Sequence, residues 1–240
     1  MIDSPKATVV IHRLLFHVHT RRSHDSTIRP EQIVAFARQH RIGCVIVTDH
    51  DSHLGSQDCA RLAGSDGPCC PLAAEYRTTQ GEIIAAFLEE PMRTRDPKGL
   101  IEKTHEQGGI VILPHPFRSQ SFPDAILTAC DVIEIFNSRV PDGDNARALA
   151  LAGELGKPFL AGADAHLPRE LGLAVNEYET THDQIWIDLI RQCRPVCRTE
   201  KSTIRAMRES QMIKACRRLN PVLLAKSVIR WTQAAPDQKL

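Results

Sequence analysis

A chain of 240 residues, 42% apolar and 25% charged, is long enough to bury a sizeable core and has the mix of an ordinary globular protein. Thirty basic side chains against 29 acidic ones leave a net charge of +1, so bulk charge argues neither for nor against an anionic partner. No apolar run approaches the roughly 18 residues of a membrane span. The opening stretch, MIDSPKATVVIHRLLFHVHT, has no small-residue cleavage site, so neither a membrane nor a secreted location is expected and a cytoplasmic one is.

The first apolar run is LLFHVHT, which reads as a strand ending in two histidines. Pro30 to Arg41 follows as a helix, with proline at its start and Ile33, Val34 and Ala37 on one face. CVIVTDH, from Cys44, is a second strand that also ends at a histidine. CPLAAEY carries Glu75 near its end, and EIIAAFL, after Gln80-Gly81, is expected to pair beside it as a hairpin. Lys98 to Gln107 is a helix stopped by Gly108-Gly109. IVILPH, DVIEIFN and PFLAGADAH complete the strands. Helices are expected from Asn145 to Leu155 and from Asp183 to Cys193.

Alternating strands and helices indicate an α/β fold, and the unbroken VIV and IVIL runs fit a parallel sheet covered on both faces. Six or more such units favour a TIM-like barrel over an open sheet. His17, His50, Glu75, His115, Asn137, Asp164 and His166 all fall at C-terminal strand ends, where barrel enzymes keep their sites. Residues 1–199 would form this barrel. Residues 200–240 form a basic helical tail, with Lys201, Arg205, Arg208, Lys214, Arg217, Arg218, Lys226 and Arg230. The tail is expected to pack on the barrel with a solvated basic face. The alternative is a contact for nucleic acid or another anion, which no interleaved aromatic residues support.

Eight cysteines form no C-x-x-C pair, so neither a zinc ribbon nor a disulfide scaffold is expected. The stronger signal is histidine with carboxylate. HVHT puts His17 and His19 one residue apart, on one face if the chain is extended there, and DAH does the same for Asp164 and His166. Nitrogen and oxygen donors of this kind suit Zn²⁺, Mn²⁺ and Fe²⁺ alike. Any one string arises by chance; the ordered set argues for more than one metal. Asp49 would face away from His50 and support it. His53 is expected to be a loop histidine, and His12, His40, His105 and His182 to be surface residues.

The order HVHTRRSHDS, VIVTDHD, AAEYRT, LPHPFR, IEIFN and GADAH, over about residues 15–173, resembles the polymerase and histidinol phosphatase (PHP) family. The resemblance implies a distorted (β/α)7 TIM-like barrel with two or three divalent metals at the C-terminal face. It implies phosphoesterase activity, some members serving as nuclease or proofreading modules of polymerases. It also implies that His17, His19, Glu75 and Asp164 hold the first metal. Glu75 and His115 would share the second. Asp25, His50 and His166 would hold the third. His24 competes with Asp25 on register. The remaining partner of the second metal is Asn137 or Glu134, with Asn137 favoured by position.

The expected chemistry is attack on a phosphate ester by a metal-bound hydroxide held by Glu75 and Asp164, without a covalent intermediate. Arg118 leads the phosphate-binding candidates, followed by Arg77 and Arg139, because a guanidinium fork matches two phosphoryl oxygens. The substrate would be a small phosphorylated molecule, a nucleotide or an oligonucleotide end. Two other readings remain open. One is a nucleic-acid-associated accessory module with a metal site; the other is a metal-dependent amide or cyclic-ester hydrolase.

Overall fold

The computed structural model describes residues 9–118, 120, 122–181, 185–233 and 239. His182 and the start of the helix expected from Asp183 lie outside these residues, as do the first eight positions of the opening stretch. The strands are β1 (Val10–Val18), β2 (Cys44–Val47), β3 (Leu72–Arg77), β4 (Glu82–Leu88), β5 (Ile110–Leu113), β6 (Val132–Asn137), β7 (Phe159–Gly162), β8 (Ala174–Thr180) and β9 (Val196–Thr199). The helices are α1 (Pro30–Gln39), α2 (Leu54–Ala63), α3 (Pro97–Glu106), α4 (Asp124–Ala129), α5 (Asp142–Glu154), α6 (Trp186–Gln192), α7 (Ile204–Arg217) and α8 (Pro221–Thr232). No helix among the described residues is long and apolar enough to cross a membrane.

The fold is mixed α/β. One sheet has the order β2-β1-β8-β9 and the other β3-β4-β5-β6-β7. Backbone hydrogen bonds join the two sheets at both ends. On one side His19 N donates to Ala165 O at 2.9 Å and Ala163 N to Phe16 O at 3.1 Å. On the other, Val45 N donates to Cys69 O at 2.8 Å and Asp51 N to Glu75 O at 2.9 Å. The expected hairpin forms: β3 and β4 are antiparallel, with Arg77 opposite Glu82, and β4 is antiparallel to β5 as well. The sheet is therefore not the wholly parallel one that the apolar runs implied. Parallel pairing holds for β1–β2, β5–β6 and β6–β7.

Local chemistry explains the helix starts. Asp96 accepts from Gly99 N at 2.7 Å and Pro97 opens α3, and Thr203 and Asn220 cap α7 and α8 in the same way. Three apolar clusters stabilise the assembly. One packs β1 and β2 against α1 and α2, and a second packs β4 and β5 against α3 and α4. The third draws Phe16, Ile46, Ala73, Ile84, Ile112, Val132 and Leu160 from all seven of β1 to β7, with Leu189 and Ile190 of α6 beneath them. That floor leaves the C-terminal strand ends as the place where polar side chains gather.

The helical tail forms a pair, α7 and α8, packed on each other. Ser202 N donates to Ser138 O at 2.9 Å, and Arg217 Nη1 donates to Ser23 O at 2.6 Å. These bonds lay α7 across the mouth of the site rather than along an outer face. The cysteines are free, with Cys44, Cys59 and Cys130 buried. His12, His40 and His105 lie outside the site, His12 half-buried against Trp186 and the other two exposed.

Candidate metal centre

His17, His19, Asp25, Glu75, His115, Asp164 and His166 are all buried, and His50 is nearly so. They come from five different strand ends and the loops just beyond them. Regular strand alternation does not aim them. His17 has φ +61° at a bulge between Phe16 and Val18, Asp164 has φ +47° and His115 has φ +26°. Left-handed backbone at a residue with a side chain costs on the order of 1–2 kcal/mol and persists only where the surroundings enforce it. Three such residues at one rim turn their side chains inward where a smooth strand would not.

His17 and His19 converge on Asp164 and Glu75. His17 Nε2 lies 3.5 Å from Glu75 Oε1 and 3.5 Å from Asp164 Oδ1. His19 Nε2 lies 3.6 Å from Glu75 Oε2 and 3.3 Å from Asp164 Oδ1. His115 Nε2 is 3.2 Å from Glu75 Oε1, the oxygen that His17 also approaches. Asp25 is 3.5 Å from both His50 Nε2 and His166 Nε2, and His50 Nδ1 is 2.9 Å from Glu75 Oε2. His24 stands outside this knot. Its Nε2 is 3.5 Å from Asp25 and 3.2 Å from Arg218, at the rim.

Glu134 has a larger part than position suggested. Its Oε1 is 2.7 Å from His17 Nδ1, and its Oε2 accepts from His115 N at 2.6 Å and Asn137 Nδ2 at 3.1 Å. It thereby leaves His17 Nε2 facing the cluster, the arrangement a carboxylate gives a metal-binding histidine. Asn137 is not brought into the cluster. Its Nδ2 is spent on Glu134 and its Oδ1 accepts from Arg139 N at 2.9 Å, so it braces the strand end. Glu82, which sequence reasoning missed, takes up that side of the site, 3.8 Å from His115 Nε2. Its signal was the hairpin register, which sets it opposite Arg77.

Asp49 holds the loop after β1. It accepts from Thr20 N at 2.6 Å, Thr20 Oγ1 at 2.6 Å and Ser23 Oγ at 2.8 Å, while burial pushes its pKa up to about 6. His53 bonds to Tyr76 Oη and does not line the central pocket. Gly162 makes room for Glu134: a Cβ there would sit 1.7 Å from Glu134 Oε1 and 3.0 Å from His17 Cβ.

The fit to divalent metal rests on unmatched donors. His17 Nε2, His19 Nε2 and Asp25 Oδ1 are buried and make no hydrogen bond. Unpaired buried polar atoms are costly, so His17 Nε2 and His19 Nε2 beside Asp164, and Asp25 Oδ1 beside His166, call for partners. Two donors each about 2.0–2.1 Å from a tetrahedral ion are about 3.3 Å apart, which is the spacing around Asp164. His17, His19 and Asp164 offer ligand atoms close enough to share an ion, as do His19, His50 and His166, and His50, Glu75 and Glu82. The residues present therefore fit divalent metals.

Charge points the same way. Burial opposes ionisation of Glu75 and Asp164, but the surrounding histidines win and hold both well below the usual carboxylate range. Burial likewise opposes a charged His50, yet Glu75 and Asp25 raise its pKa to about 10. Burial, with His166 and His50, pushes His19 down to about 3. The carboxylates demand positive charge, which protonated histidine supplies here and a metal would replace with release of protons.

The pocket above this cluster has a volume of about 190 Å³. Arg118 Nη1 donates to Asp164 Oδ2 at 3.1 Å and remains 40% exposed. Arg77 is an exposed rim residue bound to Glu82 at 3.5 Å. Arg139 is buried, donating to Ser210 Oγ at 2.7 Å beside Glu170. Gln211 and Lys214 of α7 complete the lining, with Lys214 Nζ 3.7 Å from Asp25.

With this geometry in hand, similarity to other proteins is informative. The chain is 34% identical over 145 residues to the uncharacterized protein MJ1587 of Methanocaldococcus jannaschii, covering 53% of this chain and 82% of that one. It is 33% identical over 112 residues to MJ0417 of the same organism, covering 42% of this chain and 47% of that one. Residues 142–194 match the family model described as PHP-associated. The chain belongs to the PHP family. Solved structures share its fold. PsfC from Pseudomonas syringae superposes with a TM-score of 0.62 at 16% identity, over 87% of the PHP chain and 98% of PsfC. A proposed metal-dependent phosphoesterase from Bifidobacterium adolescentis gives 0.53 at 16%, over 64% and 87%. An amidohydrolase from Chromobacterium violaceum, with bound sulfate and no metal, gives 0.55 at 15%, over 76% and 93%.

Proposed function

We propose that this PHP protein is a metal-dependent phosphoesterase acting on a small phosphorylated molecule or nucleotide. We read β1 to β7, joined at their two seams, as a distorted (β/α)7 barrel that gathers the ligands at one rim. His17, His19, Glu75 and Asp164 would hold one metal. Glu75, His115 and Glu82 would hold a second, with Asn137 serving as a brace. Asp25, His50 and His166 would hold a third. Bound cations would supply an ionised water near neutral pH and a clamp on phosphoryl oxygens.

The observation that carries the reading is the ring of cations around the ligands. Arg77, Arg118, Arg139 and Lys214 line the pocket together with four carboxylates, Asp25, Glu75, Glu82 and Asp164. Two or three dications added to that balance make the site strongly positive. Such a field favours an anionic ester over a neutral amide. Arg118, already seated on Asp164, would orient a phosphoryl oxygen against the cluster. Lys214 would meet the leaving oxygen on the Asp25 side. Among the described residues, the lining contains no serine, threonine or cysteine, which supports direct displacement by water. The sulfate bound by the Chromobacterium violaceum protein is in keeping with an anion-binding fold of this type.

The test is a panel of phosphate esters and a panel of amides, assayed with metal-loaded protein. Phosphate release from at least one ester class, with no amide cleavage, is expected. Amide hydrolysis without phosphate release would move the protein to the other reading.

A further inference from the structure

A second concavity opens beside the metal pocket, between α7, α8 and the barrel rim, with a volume of about 450 Å³. Arg118, Arg139 and Gln211 line both spaces, so the two are continuous. The outer one adds Arg208, Lys226 and Arg230. Among the described residues, five cations therefore line it and no carboxylate does. Among the described residues, none of Arg208, Lys226 and Arg230 has a carboxylate within ion-pair distance. Arg208 is fixed in place by donating to Arg230 O. Arg139 is buried, and its Nε makes no hydrogen bond although Glu170 Oε1 lies 3.4 Å away.

Like charges gathered in a concavity repel one another and are offset by an anion. We propose that this groove is a subsite for a second anionic group of the substrate, one that is held while the other is hydrolysed at the metals. The preferred substrates are then small molecules with a phosphoryl group at the metal rim and a further phosphoryl or carboxylate group in the groove. The volume is that of a small-molecule site. A single-stranded nucleic acid fits less well, because no aromatic side chain among the described residues lines the groove and Arg205 covers the ring of Trp231 at 4.6 Å. The inference rests on the phosphoesterase reading for its hydrolytic half only; the groove itself is a binding claim.

The experiment uses the full chain, wild type and Lys226→Gln/Arg230→Gln, with Lys98→Gln on α3 as the charge control. Activity is compared on propane-1,3-diol monophosphate, its bisphosphate and 3-phosphoglycerate, which separates phosphoryl from carboxylate as the second group. The wild type should prefer at least one doubly anionic substrate in kcat/KM by about tenfold, and the double variant should lose most of that preference. Calorimetric binding of the bisphosphate to metal-free protein gives a readout that needs no turnover. There the double variant should bind about tenfold more weakly than the wild type or the control. Absence of phosphate release with that binding difference intact would remove the catalytic reading and leave the groove. Equal binding by wild type and double variant would overturn the subsite. So would an equal loss in Lys98→Gln, or tighter binding of oligothymidylate that grows with its length.

Discussion

His17 reaches Glu134 through Nδ1 at 2.7 Å, and that contact decides which of its nitrogens is left for an ion. Glu134→Gln keeps the shape but weakens the acceptor. It should lower metal affinity about 10–100-fold, measured by competition with a chelating dye, while leaving the circular dichroism spectrum unchanged. Unaltered affinity would show that Glu134 does not orient the ligand. His17→Ala or Asp164→Ala removes a donor outright and should cut phosphate release on the order of 10³-fold or more with the fold retained. Activity near wild type in either variant would break the ligand assignment. At this scale most of the site was legible in the sequence, because histidine and carboxylate at strand ends have few other uses in such numbers. Three residues were not legible. Asn137 and Glu134 lie three positions apart on one strand, and only the hydrogen bonds show that the carboxylate faces His17 while the amide is consumed locally. Glu82 is remote from the motifs and enters through the register of a hairpin.

At the scale of elements, the tight point is where β6 and β7 meet. Gly162 lies at the end of β7, and a Cβ there would overlap Glu134 Oε1. Gly162→Ala should therefore cost about 1–3 kcal/mol in urea unfolding and lower metal occupancy as well. A stable variant with full occupancy would mean the rim relaxes more readily than this packing allows. On the other edge, Glu177 on β8 receives Arg13 Nε of β1 at 2.9 Å and Arg198 Nε of β9 at 2.7 Å. These bonds hold its pKa below the usual glutamate value. A depressed carboxylate stabilises the fold above its ordinary pKa, about 4.3, and loses that contribution as pH falls through the lowered value. Glu177→Gln should thus be less stable by about 0.5–1 kcal/mol at neutral pH, a modest figure because Arg198 is largely exposed. The gap should close in acid, and a gap independent of pH would refute the ion-pair account. β8 and β9 were not foreseen. Their stretches, AVNEYET and VCRT, mix polar and charged residues with few apolar ones, so they lack the run that marked the buried strands.

At the scale of the molecule, the tail changes meaning. Its charge suggested a solvated helix face, since sequence gives the sign of a surface but not what it covers. Arg217, bonded to Ser23 O, and Lys214, beside Asp25, show that α7 faces the site and contributes cations to it. The candidate metal rim and the basic tail thus form one electrostatic unit, negative at the ligands and positive around them. The β3–β4 hairpin expected from the sequence replaces one β–α unit, and β4 is antiparallel to β5 as well, a direction that a run of apolar letters does not reveal. All of this depends on the ligand cluster holding several ions at once. The most direct test is the number of metal ions bound per chain, measured by inductively coupled plasma mass spectrometry after reconstitution and removal of excess metal. The account predicts two or three per wild-type chain. A single ion, or none, would contradict it.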